Sequence, residues 1–240
     1  FNERWDDHPE HEAKDALPGR KKLIGPDVKD VQPVGRQSVQ VARTYARSPV
    51  YKFATTGKIE VWLQLKNAIL AARKFIYMEN QYFVSEDLAR LLASALPRLE
   101  HLTLLLQCRS DMPEGYARTK RCIELLKAAA GSSGKLRVFA IKPGLARGYV
   151  HTKTWIFDDE AAIIGSANGT RRSFTCDSEA NVQVFDPSRE DRAAWRFARR
   201  LRVRLWAGLL GMDTPEGHAE LADGVASVRH WDMPARPGCQ

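Results

Sequence analysis

The chain has 240 residues, 44% hydrophobic and 28% charged, enough to bury one substantial core and long for a single domain. No apolar run approaches the roughly 18 residues that a bilayer-spanning helix needs, and the first residues lack the charged-then-apolar pattern of a secretory signal. The formal net charge of +8 suits an anionic partner, a phospholipid surface or nucleic acid, although a solvated basic surface has the same composition.

Residues 1–37 are polar and interrupted by Pro9, Pro18, Pro26 and Pro33, the pattern of a segment that wraps or links rather than one that builds a core. Residues 38–45 read as a strand. Residues 59–73 follow helical spacing through Ile59, Trp62, Leu63, Lys66, Ile69 and Leu70. A strand at 75–79 precedes a helix N-capped by Ser85, with Glu86 and Asp87 in its first turn. Residues 101–107 have buried-strand character, 116–130 are helical and 136–141 form another strand. After these come a strand at 150–157, the polar break Asp158-Asp159-Glu160, a return strand from Ala161 and a strand at 179–185. The basic run 189–204 places Ala194, Phe197, Leu201 and Leu205 at helical spacing, which predicts a core-packed helix with an outward arginine face. Residues 216–240 read as a C-terminal tail, leaving 38–215 as the folded domain. Strands alternating with helices predict an α/β fold, a mixed central sheet covered by helices on both faces.

Chemistry concentrates at His151 and Lys153. Two residues apart in a strand, their side chains share a face about 7 Å apart. An imidazole can attack phosphorus or shuttle a proton, and an ammonium can hold phosphate oxygens. The return strand leads to Gly165-Ser166-Ala167-Asn168, which brings a hydroxyl and an amide back towards His151. Asp158 lies off the two-residue alternation and reads as structural, capping the turn. Glu79 and Gln81 could line a headgroup pocket or pack a strand end. Trp155 and the pair Arg171 and Arg172 have ordinary structural readings as a buried strand residue and surface arginines. The cysteines Cys108, Cys122, Cys176 and Cys239 form no C-x-x-C pair, and no clustered carboxylates appear, so no metal site and no cofactor is indicated.

The pattern H-x-K-x(4)-D-x(6)-G-S-x-N, from His151 to Asn168, resembles the HKD motif of the phospholipase D superfamily. Ile76-Tyr77-Met78-Glu79-Asn80-Gln81-Tyr82-Phe83 is similar to the I-Y-x-E-N-Q-Y-F segment of phospholipase D proteins proper. Arg172-Ser173 with Asp177-Ser178-Glu179, and Leu201-Arg202-Val203-Arg204-Leu205-Trp206 with Leu210-Gly211, resemble the continuation of that family's sequence.

The resemblance implies an α-β-α sandwich and phosphodiester chemistry through a phosphohistidine, with two HKD motifs per site. Only one H-x-K of this kind occurs here, and Arg4-Trp5-Asp6 resembles the segment after a first motif, with His11 like the histidine that follows it. The chain therefore reads as the C-terminal half of a two-motif enzyme, completed by an N-terminal half or by a second copy. On this resemblance His151 serves as general acid/base, with the opposite assignment as nucleophile open. Lys153, Ser166 and Asn168 bind the phosphate, and Glu179 orients the far imidazole nitrogen. The implied activity is headgroup hydrolysis or transphosphatidylation of phospholipids. The alternatives are a cardiolipin or phosphatidylserine synthase-like phosphatidyltransferase, a homodimeric nuclease acting on nucleic acid, or an inactive phosphate-binding fragment.

Overall fold

The structure, a computed structural model, describes residues 37–107, 114–141, 149–186 and 196–232. The expected linker at 1–37 therefore lies, but for its last residue, outside the described residues. In chain order the elements are β1 (Ser38–Tyr45), β2 (Lys58–Ile59), α1 (Glu60–Ala71), β3 (Phe75–Asn80), α2 (Glu86–Ala95), β4 (His101–Leu106), α3 (Gly115–Ala130) and β5 (Leu136–Ala140). They continue with β6 (Lys153–Phe157), β7 (Ala161–Gly165), α4 (Arg171–Thr175), β8 (Glu179–Phe185), α5 (Phe197–Leu210), α6 (Pro215–Glu220) and a 3-10 segment (Ala226–Asp232). The strands form one sheet in the order β2-β1-β8-β7-β6-β3-β4-β5. β3, β4 and β5 are mutually parallel and every other pairing is antiparallel.

β3 and β4 are buried along their whole length. Parallel strands covered on both faces need this, and the near-continuous apolar run His-Leu-Thr-Leu-Leu-Leu supplies it. Alternate residues feed two cores. Ile76, Met78, Leu102, Trp155 and Phe157 meet residues of α1, α2 and α3 on one face. Phe75, Tyr77, Ile156 and Ala162 meet α5 and the C-terminal segment on the other. The sheet is thus the middle layer of an α-β-α sandwich. The predicted N-cap at α2 is present, with the Ser85 hydroxyl accepting from the Leu88 N–H.

Two expectations for the C-terminal part of the chain require correction. On α5 the innermost positions are Ala198, Arg202, Trp206 and Ala207, while Phe197, Leu201 and Leu205 flank them. Ala194 and its neighbours at 189–195 lie outside the described residues. An arginine therefore stands where the spacing predicted an apolar stripe, and it is fully buried. It is accommodated because Asp159 takes two of its N–H groups at 2.7 Å each, the carbonyls of Leu221 and Ala222 take others, and Phe75 and Trp206 lie against the guanidinium. The predicted tail from 216 is also part of the packed unit as far as Asp232, since Leu221, Val228 and Trp231 belong to the second core. Their spacing is too sparse to mark them in sequence.

The β6–β7 turn supplies Asp159 and also holds the opposite side of the sheet. Its central residues Asp158 and Asp159 both have positive φ, 56° and 57°, and Glu160 N–H closes the turn on the Phe157 carbonyl. This is the primed geometry that matches strand twist and that aspartate tolerates. Asp158 was expected to cap its own turn; its carboxylate instead accepts the N–H groups of Arg73, Lys74 and Phe75 at 2.7–2.8 Å, capping the link from α1 into β3. Among the described residues no helix is long and apolar enough to cross a membrane.

At the same end of the sheet His101 is buried, and burial pushes its imidazole down to about 4. The Gly224 carbonyl can only accept, so Nε2 carries the proton and Nδ1 accepts from the Thr103 hydroxyl.

Two stability outcomes are expected. Replacing Arg202 by alanine leaves the Asp159 carboxylate without its partner and lowers unfolding free energy by about 3–5 kcal/mol, read by urea denaturation. The unfolded chain binds a proton at His101 below about pH 6.5 and the folded chain only below about 4, so stability falls as pH drops through that window and levels off beneath it. The contribution is on the order of 3 kcal/mol. It appears as the difference between the wild-type and His101→Gln stability curves against pH.

Candidate active site

The end of the sheet opposite the β6–β7 turn carries the polar residues. There β3 runs out of apolar sequence at Glu79-Asn80-Gln81, and Asn80 stands directly across the ladder from Lys153. This is the carboxyl end of the parallel strands β3 and β4, where the chain, having laid β4 and β5 to one side of β3, places β6 on the other. Open α/β sheets leave a crevice at such a point.

The strand expected at 150–157 begins only at Lys153. Its partners end there: Asn80 is the last residue of β3, and Thr154 is the last residue of β6 that β7 pairs, opposite Ile164. Val150 instead donates its N–H to the Gln107 side chain at 2.8 Å. His151 consequently sits in an exposed connector, its ring stacked on Tyr149 with centroids 6.1 Å apart. What ties the motif pair together is the Lys153 ammonium donating to the His151 carbonyl at 2.7 Å.

Lys153 is only 8% exposed. A second N–H of its ammonium goes to Gln81 Oε1 at 2.8 Å, and Gln81 Nε2 donates to the Tyr149 hydroxyl at 2.6 Å. Burial lowers the lysine pKa below its ordinary value, and the nearby Glu179 carboxylate works against that shift. Glu79 is buried beneath the motif. Burial raises its carboxyl pKa, opposed by hydrogen bonds from the Tyr77 and Thr152 hydroxyls. Glu79 and Gln81 are thus internal supports of the motif strand rather than the walls of an open pocket.

The hairpin returns Ser166 to this end of the sheet. Its hydroxyl donates to the Glu179 carboxylate and accepts from Ala180 N–H. Glu179 is therefore engaged with Ser166, and among the described residues the His151 ring nitrogens have no hydrogen-bond partner. Asn168 turns a buried Oδ1 inward that likewise lacks a partner among the described residues. The loop beyond it is pinned to the end of β3, with Asn80 Oδ1 accepting from Gly169 and Tyr82 N–H while Val84 and Ser85 N–H meet the Gly169 carbonyl.

Gly165 has a steric reason. A Cβ there would lie against the Asn181 side chain and 2.5 Å from the Ala180 carbonyl. Trp155 is a core residue, Arg172 pairs with Asp177 at the surface, and Arg171 and the free thiol of Cys176 are exposed. His11 lies outside the described residues. Among the described residues no three metal-ligating side chains cluster. Sequence reasoning passed over Gln107, Tyr149 and the capping role of Asn80. Gln107 meets Val150 across 43 residues of chain, which no spacing rule reports.

Fold and site describe an α/β sandwich with an HKD-type motif at a strand end. A family profile described as cardiolipin synthase, PLD-like domain, matches residues 65–202, more than half of the sequence, and the chain belongs to this phospholipase D-like family. A cardiolipin synthase of Staphylococcus aureus strain Mu50 is 30% identical over 142 residues, covering 56% of this chain and 26% of that protein. The match thus spans about a quarter of the length of such curated relatives. Among solved structures, phosphatidylserine synthase of Haemophilus influenzae is similar at 16% identity and TM-score 0.48, covering 64% of this chain and 36% of that one. Nuc of Salmonella typhimurium, a phospholipase D family member, is similar at 19% identity and TM-score 0.46, covering 63% and 84%.

Gly165→Ala is expected to force β7 and β8 apart and to destabilise the fold by about 1–3 kcal/mol, with a lowered urea midpoint as the readout.

Proposed function

We propose that this chain carries one half of a phosphatidyltransferase site that exchanges the alcohol of a phospholipid phosphodiester, as in cardiolipin synthesis. The observation that carries the reading is the Lys153 ammonium. It is desolvated and held by two neutral acceptors beside an exposed histidine, with one N–H left for an anion. The sequence relatives named cardiolipin synthases favour transfer to an alcohol over release to water.

In this reading the non-bridging oxygens of the phosphate take the remaining Lys153 N–H and the amide of Asn168, where negative charge builds in the transition state. The Ser166 hydroxyl joins them by rotating away from Glu179. A histidine of a second motif, from a second copy or from further sequence, attacks phosphorus. The His151 imidazolium gives its proton to the departing alcohol. A second alcohol then enters, yields its proton to His151, and forms the new phosphodiester as the phosphorus–histidine bond breaks. Glu179 completes the site by steadying the charge on the lysine and, once Ser166 has moved, on the imidazolium.

The test supplies phosphatidylglycerol vesicles to the polypeptide as its gene encodes it. Cardiolipin and free glycerol are the expected products, and His151→Ala is expected to lower turnover about 10²–10⁴-fold. Lys153→Ala is expected to lower it about 10²-fold or more. Accumulation of phosphatidic acid without cardiolipin would replace transfer by hydrolysis. Cleavage of DNA with no lipid product would overturn the lipid reading.

A further inference from the structure

The phosphate-binding lysine does not stand alone: its ammonium is tied through one carboxamide to the aromatic ring that packs on the motif histidine. We propose that Gln81 and Tyr149 form a clamp that positions Lys153 and His151 relative to one another, making both of them positioning residues for the phosphate site. The inference deepens the proposed function and rests on Lys153 being the phosphate ligand.

The geometry has three parts. Gln81 Oε1 takes one proton of the ammonium at 2.8 Å, and the His151 carbonyl takes a second at 2.7 Å. An ammonium has three donors, so two fixed acceptors leave one direction for a third. A lysine on a four-carbon stem otherwise samples many rotamers, and binding an anion would cost the freedom that these contacts already remove. Gln81 Nε2, at 2.6 Å from the Tyr149 hydroxyl, ties the amide on its other side. The ammonium can only donate, so the carbonyl oxygen must face it, and the phenol then accepts from the Nε2 that points the other way and holds the amide in place. The Tyr149 ring stacks on the His151 imidazole at an interplanar angle of 29°, so the same residue that orients the amide also sets one wall for the histidine. Gln81 itself is nine-tenths buried, just beyond the last residue of β3, with the adjacent Asn80 fully buried. The glutamine half of the clamp is therefore anchored beside the end of the sheet, and the tyrosine half lies on the connector that leads into β6.

The alternative role for Gln81 is packing: a buried polar side chain that merely satisfies its neighbours. The two roles separate in a double-mutant cycle read on inorganic phosphate binding by calorimetry, with urea midpoints measured in parallel. Gln81→Ala is expected to weaken phosphate binding about tenfold, as loss of a hydrogen bond to a charged group does. Tyr149→Phe keeps the ring on His151 and frees the amide to turn; it is expected to weaken binding about threefold. The double variant is expected to bind no more weakly than Gln81→Ala alone, because Tyr149 acts on the lysine only through the amide. The Lys153 ammonium resonance, slowed in exchange by its fixed acceptors, is expected in the wild type and lost in both single variants.

Additive losses, or unchanged phosphate affinity in both single variants while Lys153→Ala abolishes binding, would overturn the clamp and leave the proposed function standing. A wild type that binds no phosphate, or a Lys153→Ala variant that binds it as the wild type does, would overturn the proposed function itself. Tyr149 is half exposed, so Tyr149→Phe still decides the matter should Gln81→Ala fail to fold.

Discussion

The turn between β6 and β7 carries two adjacent carboxylates that serve different layers of the sandwich, and the placement of the site depends on both. Asp158 gathers three consecutive N–H groups where α1 passes into β3. Asp159 reaches the fully buried guanidinium of Arg202 on α5. A buried ion pair of this kind is weak as a net source of stability but strongly directive, because either charge left unpaired in the core is costly. With β3 held at its start and α5 held against the second face, the register of β6 on β3 is set. That register is what brings Lys153 opposite Asn80 at the far end. The motif aspartate is thus a structural residue at one end of the strand, and the lysine proposed to bind phosphate stands at the other.

The far end works by a graded change in polarity. β3 begins among aromatic rings at Phe75 and finishes in Glu79-Asn80-Gln81, all buried yet each hydrogen-bonded in a different direction. Glu79 turns to Tyr77 and Thr152, Asn80 to the loop after Ser166, and Gln81 to Lys153 and Tyr149. These contacts satisfy polar groups that burial would otherwise penalise, and they hold the three segments of the site in one frame. Two buried atoms at this end, the Asn168 oxygen and Asn80 Nδ2, have no partner among the described residues, and there the satisfaction is incomplete. Unmet hydrogen-bonding capacity at a strand end beside a desolvated ammonium is suited to a ligand with both donors and acceptors.

Ser166 and Glu179 illustrate how an expectation drawn from resemblance differs from a contact. Both are brought to the site end, since Gly165 pairs with Asn181 and Ser166 follows directly. Within the described chain the Glu179 carboxylate accepts from the Ser166 hydroxyl. His151 stays exposed on Tyr149. In the proposed reading a phosphate competes for the hydroxyl, and the Ser166–Glu179 bond is the contact it displaces.

Sequence by itself determined β1, β3 to β8 and α1 to α3 to within a few residues, because binary patterning and caps such as Ser85 act over short range, while the short β2, α4 and α6 went unmarked. It also displayed the motif, because a histidine, a lysine, an aspartate and a Gly-Ser-x-Asn element at fixed spacing can be read without the fold. Tertiary structure alone decided the rest. The exact start of β6 depends on where its neighbours end, the burial of Arg202 depends on an aspartate 43 residues away, and Leu221, Val228 and Trp231 join the core only because α5 lies beneath them. Gln107, Tyr149 and Gln81 acquire their roles in the same way, since the groups they hold lie far off along the chain or on the opposite strand. Periodicity reports which face a residue occupies; only the folded sheet reports which distant partner waits there.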